Sequence, residues 1–285
     1  YMIQMYKPQD IDPELVNKNL QRLHGFVEKS KELVGLEHTS VMLVPTASEV
    51  LSDKLPEFAE GMLYDQKELL RRAEEQVGDE AWIDVQSVLD QHKDEYIFYR
   101  TDHHWTMTGA FYAYQQWMSQ KGYGTVSLDD YEQVTLIEDF LGTTYSKAPT
   151  ASAEADTMLY FEKDPQQEYR VYLEGSEEGR NGLYDPAKLQ EKDKYASYLY
   201  GNNGLVEIQG GEKNGRVLLI IKDSYAHSLG MLAAQDFETV YLIDPRYFLQ
   251  DIWQFAEENQ VTDTLFLFNT MNFAQESYLY ILDEA

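Results

Sequence analysis

The chain has 285 residues, 43% hydrophobic and 13% aromatic, enough to bury a sizeable core and too apolar for a disordered polymer. Its 50 acidic and 23 basic side chains leave a net charge of -27, which repels nucleic acid and anionic membrane surfaces and admits a neutral polymer or a small ester. Cysteine is absent, so disulfides, thiolate nucleophiles and zinc sites built on sulfur are excluded.

In chain order, Asp12 and Pro13 read as the N-cap and first position of a helix. Leu15, Leu20, Leu23, Phe26 and Val27 recur at helical spacing, and Gly35 ends the run. "TSVMLVP" (39–45) is a short apolar stretch of the kind found in a buried parallel strand. "DQKELLRRAEEQV" reads as an amphipathic helix, "VQSVLDQHK" as a shorter one, and "EYIFYR" (95–100) as a strand. Thr106 suits the N-cap of a helix through "MTGAFYAYQQWMSQ", and Gly122 suits the position past its end. Between about 125 and 215, glycines, polar clusters and short alternating segments predict strands and long loops. Strand and helix then alternate through "RVLLIIKDS", "YAHSLGMLAAQD", "TVYLID", "FLQDIWQFAEENQ" and "DTLFLFN". The pattern predicts one α/β domain over 1–285 with a mainly parallel, doubly wound sheet and an inserted region at about 125–215. No apolar run reaches the ~20 residues of a membrane span. The sequence starts at Tyr1 and is read as a mature fragment whose N-terminal anchor is not in view.

Two turns carry reactive residues. "TDHHW" (101–105) holds two of the six histidines just before a helix. In extended backbone, residues two apart share a side. Asp102 can then accept from Nδ1 of His104 and leave Nε2 free as a base, with His103 pointing the other way. The second turn, "KDSYAHS", puts Ser224 between a strand and a helix, where first-turn N–H groups such as that of Tyr225 face a developing oxyanion. Taken alone, Asp223 and Ser224 serve equally as helix caps, and Asp102 with His104 as a structural hydrogen bond.

"TDHHWTMTGA", then "GNNG", "LLIIKDSYAHS" and "LIDPRYF", resemble the DHHW protein family of Gram-positive bacteria, named for the run found here as Asp102 to Trp105. That family is similar to the periplasmic alginate O-acetyltransferases and, more distantly, to SGNH hydrolases. The resemblance implies a permuted SGNH-hydrolase-like three-layer α/β/α domain. It also implies a serine-based acyl-transfer site with Ser224 as nucleophile, His104 as base and Asp102 as its orienter. It further implies that Trp105 packs beneath the acid–histidine pair; Arg246 and His103 are candidate pocket residues. Asn202 and Asn269 are candidate oxyanion donors besides the Tyr225 N–H. His227, three residues after Ser224, either reaches the hydroxyl or decorates the helix. SGNH hydrolases carry Gly where Lys222 stands here. The implied function is O-acetyltransfer or acetyl-ester hydrolysis on an extracellular carbohydrate, without a cofactor, using acetyl groups from a membrane-bound acyltransferase.

Two other readings compete. One is a metal-dependent hydrolase with the Asp-His-His run as ligands, although no H-x-x-x-H or acid-rich partner run accompanies it. The other is a non-catalytic, extracellular polysaccharide-binding protein, for which the 22 tyrosines supply amphipathic rings.

Overall fold

The structure is a computed structural model that describes residues 1–59 and 61–283. α1 (Pro13–Val34) starts where Asp12 accepts the Glu14 N–H. It stops at Gly35, whose φ of +88° side chains rarely adopt. Its buried stripe includes Leu20, Leu23, Phe26 and Val27. Burial of each such side chain contributes roughly 1.5–3 kcal/mol. The chain continues through β1 (Thr39–Val44), α2 (Ala47–Val50), α3 (Gln66–Val77), α4 (Val85–Gln91) and α5 (Met107–Gln120). β2 (Glu132–Phe140), α6 (Thr143–Lys147), β3 (Asp156–Glu162), β4 (Arg170–Leu173), β5 (Arg180–Asn181) and β6 (Leu205–Gln209) form the middle region. The last third alternates: β7 (Val217–Lys222), α7 (Ala226–Ala233), β8 (Thr239–Ile243), α8 (Ile252–Glu258), β9 (Asp263–Asn269) and α9 (Thr270–Gln275).

Among the described residues the main sheet has the order β1-β9-β7-β8-β6-β4-β5. β1, β9, β7 and β8 are parallel neighbours, and β6, β4 and β5 extend that sheet antiparallel. Period-two alternation divides each parallel strand between two cores. Leu218 and Ile220 of β7 face α4, α5 and α7, while Leu219 and Ile221 face α1, α3, α8 and α9. Met42 and Val44 of β1, and Leu265 and Leu267 of β9, follow the first pair; Val41, Leu43, Phe266 and Phe268 follow the second. The result is the expected α/β/α layering. Among the described residues, no helix is long and apolar enough to cross a membrane.

In the middle region β2 and β3 form a separate antiparallel pair, and β4 to β6 are strands of the main sheet. One expectation needs correction: residues 95–100 are not a strand of the sheet. They fold back on the residues that follow, with Tyr99 N–H on His104 O, Thr106 N–H on Ile97 O, and Phe98 bridging Trp105. Aromatic-rich sequence favours extended backbone in both settings. Here the buried Asp156 carboxylate takes the Arg100 and Thr101 N–H groups at 2.8 Å each, so they are lost to any sheet ladder.

Candidate active site

Ser224 follows β7, an interior strand whose carboxyl end lies between those of β8 and β9. The strand ends as Asp223 N–H reaches back to Leu267 O, and α7 begins two residues after the serine. Asp223 is buried and accepts from Tyr225 N (2.9 Å), Asn269 N (3.0 Å), Asn269 Nδ2 (2.8 Å) and Asn272 Nδ2 (2.8 Å). These donors tie the turn to the end of β9 and fix the serine between two helix starts.

The Asp-His-His segment reaches the same point from the side. Thr106 caps α5, accepting from Gly109 N at 3.2 Å and donating to Tyr96 O at 2.7 Å. Gly109 has no alternative, because a Cβ there would lie 2.4 Å from Ile97 O. Just upstream, His104 Nδ1 donates to Asp102 Oδ1 at 2.6 Å, and the His104 N–H donates to the same oxygen at 3.0 Å. His104 Nε2 is 2.8 Å from Ser224 Oγ. Asp102, His104 and Ser224 therefore form one unbroken line of hydrogen bonds, with the acid and imidazole buried and the serine half-buried.

The second oxygen of Asp102 is held by residues that sequence reasoning missed. Thr143 donates to Oδ2 through its N–H (2.7 Å) and its hydroxyl (2.9 Å). Gly142 admits this approach, since a Cβ there would lie 2.3 Å from Cβ of Asp102. Burial works against the Asp102 charge, but His104, His103 and the Thr143 N–H outweigh it and hold the carboxyl well below the usual carboxylate range. His103 lies with its ring centroid 3.9 Å from that of His104 and its Nδ1 donating to Thr143 Oγ1 at 2.6 Å. Burial, then the neighbouring His104, pushes His103 down to about 3 in spite of Asp102. Trp105 is fully buried and donates from its indole to Tyr225 O at 2.9 Å, under the serine turn. Tyr225 closes the circuit by donating its hydroxyl to His103 O. The other missed residue is Tyr195, whose ring stacks on His104 with centroids 3.7 Å apart and planes 7° apart.

The remaining candidates are placed differently. The Tyr225 N–H is taken by Asp223, so it is not free for an oxyanion; among the described residues the Ser224 N–H is the unengaged donor at this turn. Asn269 is committed at both ends, Nδ2 to Asp223 and Oδ1 to the Met271 and Asn272 N–H groups as the cap of α9. Asn202 is exposed on the loop before β6. His227 is buried but turns to Lys222, with Nζ 3.3 Å from Nε2, and not to Ser224. Lys222 pairs with Asp244 at 3.2 Å, and Arg246 grips Asp244 at 2.9 and 2.7 Å. Arg246 thus closes a buried ion cluster as well as reaching the surface. Burial and then Lys222 hold His227 well below the ordinary histidine value, so it stays neutral.

Asp102, His103 and His104 also offer ligand atoms within 4.8 Å of one another. As metal ligands they fit poorly, because Nδ1 of each histidine and both oxygens of Asp102 already hold the hydrogen bonds just described.

Comparison with solved structures gives the same fold. A DHHW family protein from Eubacterium siraeum superposes with a TM-score of 0.81 at 26% identity, over 99% of this chain and 91% of that one. Bacillus cereus PatB1, solved with a sulfonyl adduct, gives 0.77 at 18% identity over 98% and 94%. The O-acetyltransferase domain of Pseudomonas putida AlgJ gives 0.53 at 12% identity over 95% and 90%. No curated protein matches the sequence significantly. The family model for DHHW proteins matches residues 28–243, and with that match over most of its length the chain belongs to the DHHW protein family.

Proposed function

We propose that this chain is a serine O-acyltransferase, moving an acetyl group from an ester donor to a carbohydrate hydroxyl. The observation that carries the reading is the line Asp102–His104–Ser224, with contacts of 2.6 and 2.8 Å at the carboxyl end of an interior parallel strand. With Nδ1–H donated to Asp102, Nε2 of His104 takes the Ser224 proton as Oγ bonds to the acetyl carbonyl carbon. The Ser224 N–H at the head of α7 faces the oxyanion. His104 then gives its proton to the departing alkoxide, leaving an acetyl-serine. In the second half His104 deprotonates the acceptor hydroxyl, which attacks the acetyl-serine and regenerates Ser224. Water as acceptor makes the same site an esterase.

Similarity to an O-acetyltransferase domain and to a protein solved with a sulfonyl adduct supports this reading. In its fuller form the chain works outside the cytoplasm, at the cell surface, on acetyl groups delivered by a membrane-bound acyltransferase. A binding-only reading draws support from the exposed rings of Tyr247, Tyr278 and Tyr280. One experiment separates the two. Wild type should hydrolyse 4-nitrophenyl acetate and take up one methanesulfonyl group on Ser224, located by peptide mass spectrometry. Ser224→Ala should lose at least about 10³-fold in kcat and all labelling at an unchanged melting temperature. A Ser224→Ala protein as active as wild type overturns the proposal.

A further inference from the structure

Tyr195 comes from a one-turn helix in the middle region, 29 residues before Ser224, yet it touches both reacting partners. One face of its ring covers the His104 imidazole at 3.7 Å. Its hydroxyl donates to the carbonyl of Ser224 itself, at 3.3 Å. The edges of Tyr198 (5.2 Å, 74°) and Tyr99 (6.4 Å, 85°) fix the ring, and His227 lies 6.0 Å away at an 18° tilt. The whole side chain is buried. Near-parallel rings at this spacing form a stack that neutral rings also adopt. The contact strengthens when one ring is cationic and lies over the electron-rich face of the other.

We infer that Tyr195 is a positioning residue of this site, clamping the base to the nucleophile's backbone and presenting a π-face to the imidazolium formed during acyl transfer. The inference rests on the acyl-transfer reading. In that step the Ser224 O–H bond breaks, the His104 Nε2–H bond forms, and the serine electron pair goes to the new C–O bond. The positive charge left on the ring is what Tyr195 faces. Asp102 balances the same charge edge-on through Nδ1. The other groups packed around His104 are His103, Tyr225 and Ser224, with Asp223 and His227 farther out. None of these is altered by changing the ring at 195. Burial also pushes the Tyr195 phenol well above its usual value, so it remains a neutral donor.

The test changes the ring's substituents and then removes the ring. Three full-length forms are compared on 4-nitrophenyl acetate across pH: Tyr195→Phe, pentafluorophenylalanine placed at 195, and Tyr195→Leu. Tyr195→Phe should keep the acidic limb of kcat/KM and lose less than about tenfold in kcat, the share of the hydroxyl tether. The fluorinated ring should lose about a further tenfold in kcat at constant KM, with the acidic limb about one pH unit lower. Tyr195→Leu should lose at least as much; if it does not fold, the two aromatic forms still decide. Coincident kcat and limb for those two forms overturn the role of Tyr195 alone. A wild-type chain that neither turns over the ester nor takes up a sulfonyl group overturns the acyl-transfer reading, and this inference with it.

Discussion

The two halves of the site are held in place by opposite means. Ser224 is delivered by regular structure: β7 is paired along its length to β8 and β9, and the serine sits where that strand turns into α7. The Asp-His-His segment belongs to no ladder. It is pinned by side chains from the middle region, Asp156 gripping Arg100 N, Thr101 N, Thr101 Oγ1 and Tyr96 Oη, and Thr143 gripping Asp102. A sheet distributes its support over many bonds, whereas a clamp concentrates it in a few buried ones. Among the residues that only support the site, single substitutions should therefore hurt the Asp-His-His half far more than the serine half.

The largest effect is expected at Asp156. Removing its carboxylate leaves several buried donors unmatched, each costing about 1–3 kcal/mol. Asp156→Ala should lower unfolding stability by at least about 3 kcal/mol in urea titration. It should also cut esterase kcat by about 10²-fold as His104 drifts from Ser224. On the other half, Asn272→Ala takes one of several donors from Asp223. It should cost about 1 kcal/mol and less than tenfold in activity. Equal losses from the two would break the contrast. Next comes Gly142→Ala, which drives a methyl group into Asp102 and should cost about 2 kcal/mol by thermal unfolding. Its kcat should fall at least about tenfold while Ser224 is still sulfonylated slowly. Wild-type kinetics in Gly142→Ala would show that the Thr143 clamp is dispensable.

The same division explains what the sequence made legible. The helix caps at Asp12, Gly35 and Thr106, the continuous apolar runs of β1, β7 and β9, and the strand-to-helix placement of Ser224 are local patterns, each readable within a few residues. The meeting of Asp102, His104 and Ser224 was anticipated from two such turns together with the family resemblance. Asp156, Gly142, Thr143 and Tyr195 carry no local signature, because each acts on a segment at least 29 residues away in the chain. "EYIFYR" misled for the same reason: its extended character is local, but the Arg100 N–H goes to the distant Asp156 and the Tyr99 N–H to His104 O. The oxyanion candidates went astray where an acid intervened. Asp223 claims both the Tyr225 N–H and the Asn269 side chain, and a donor next to a nucleophile in sequence is not thereby free.

The smallest expected effect sharpens the comparison through pH. Each half holds a histidine kept neutral, His103, half-buried beside His104, and His227, buried beside Lys222. His103 titrates near 3 when folded, against an ordinary value of about 6.5 when unfolded. Between those values the unfolded chain binds a proton that the folded chain does not, so stability falls as pH drops through 6.5 and continues to fall until about 3. From pH 7 to 5.5 this one residue should remove about 1 kcal/mol. His103→Gln retains a side-chain amide to meet Thr143 Oγ1 and abolishes the titration. Urea unfolding at the two pH values should then show wild type losing about 1 kcal/mol more than His103→Gln. Because His227 is unchanged, its own loss is common to both proteins and cancels. Equal losses in the two proteins would mean that His103 accepts its proton without opening the clamp, and that the base half is looser than the bonds to Thr143 imply.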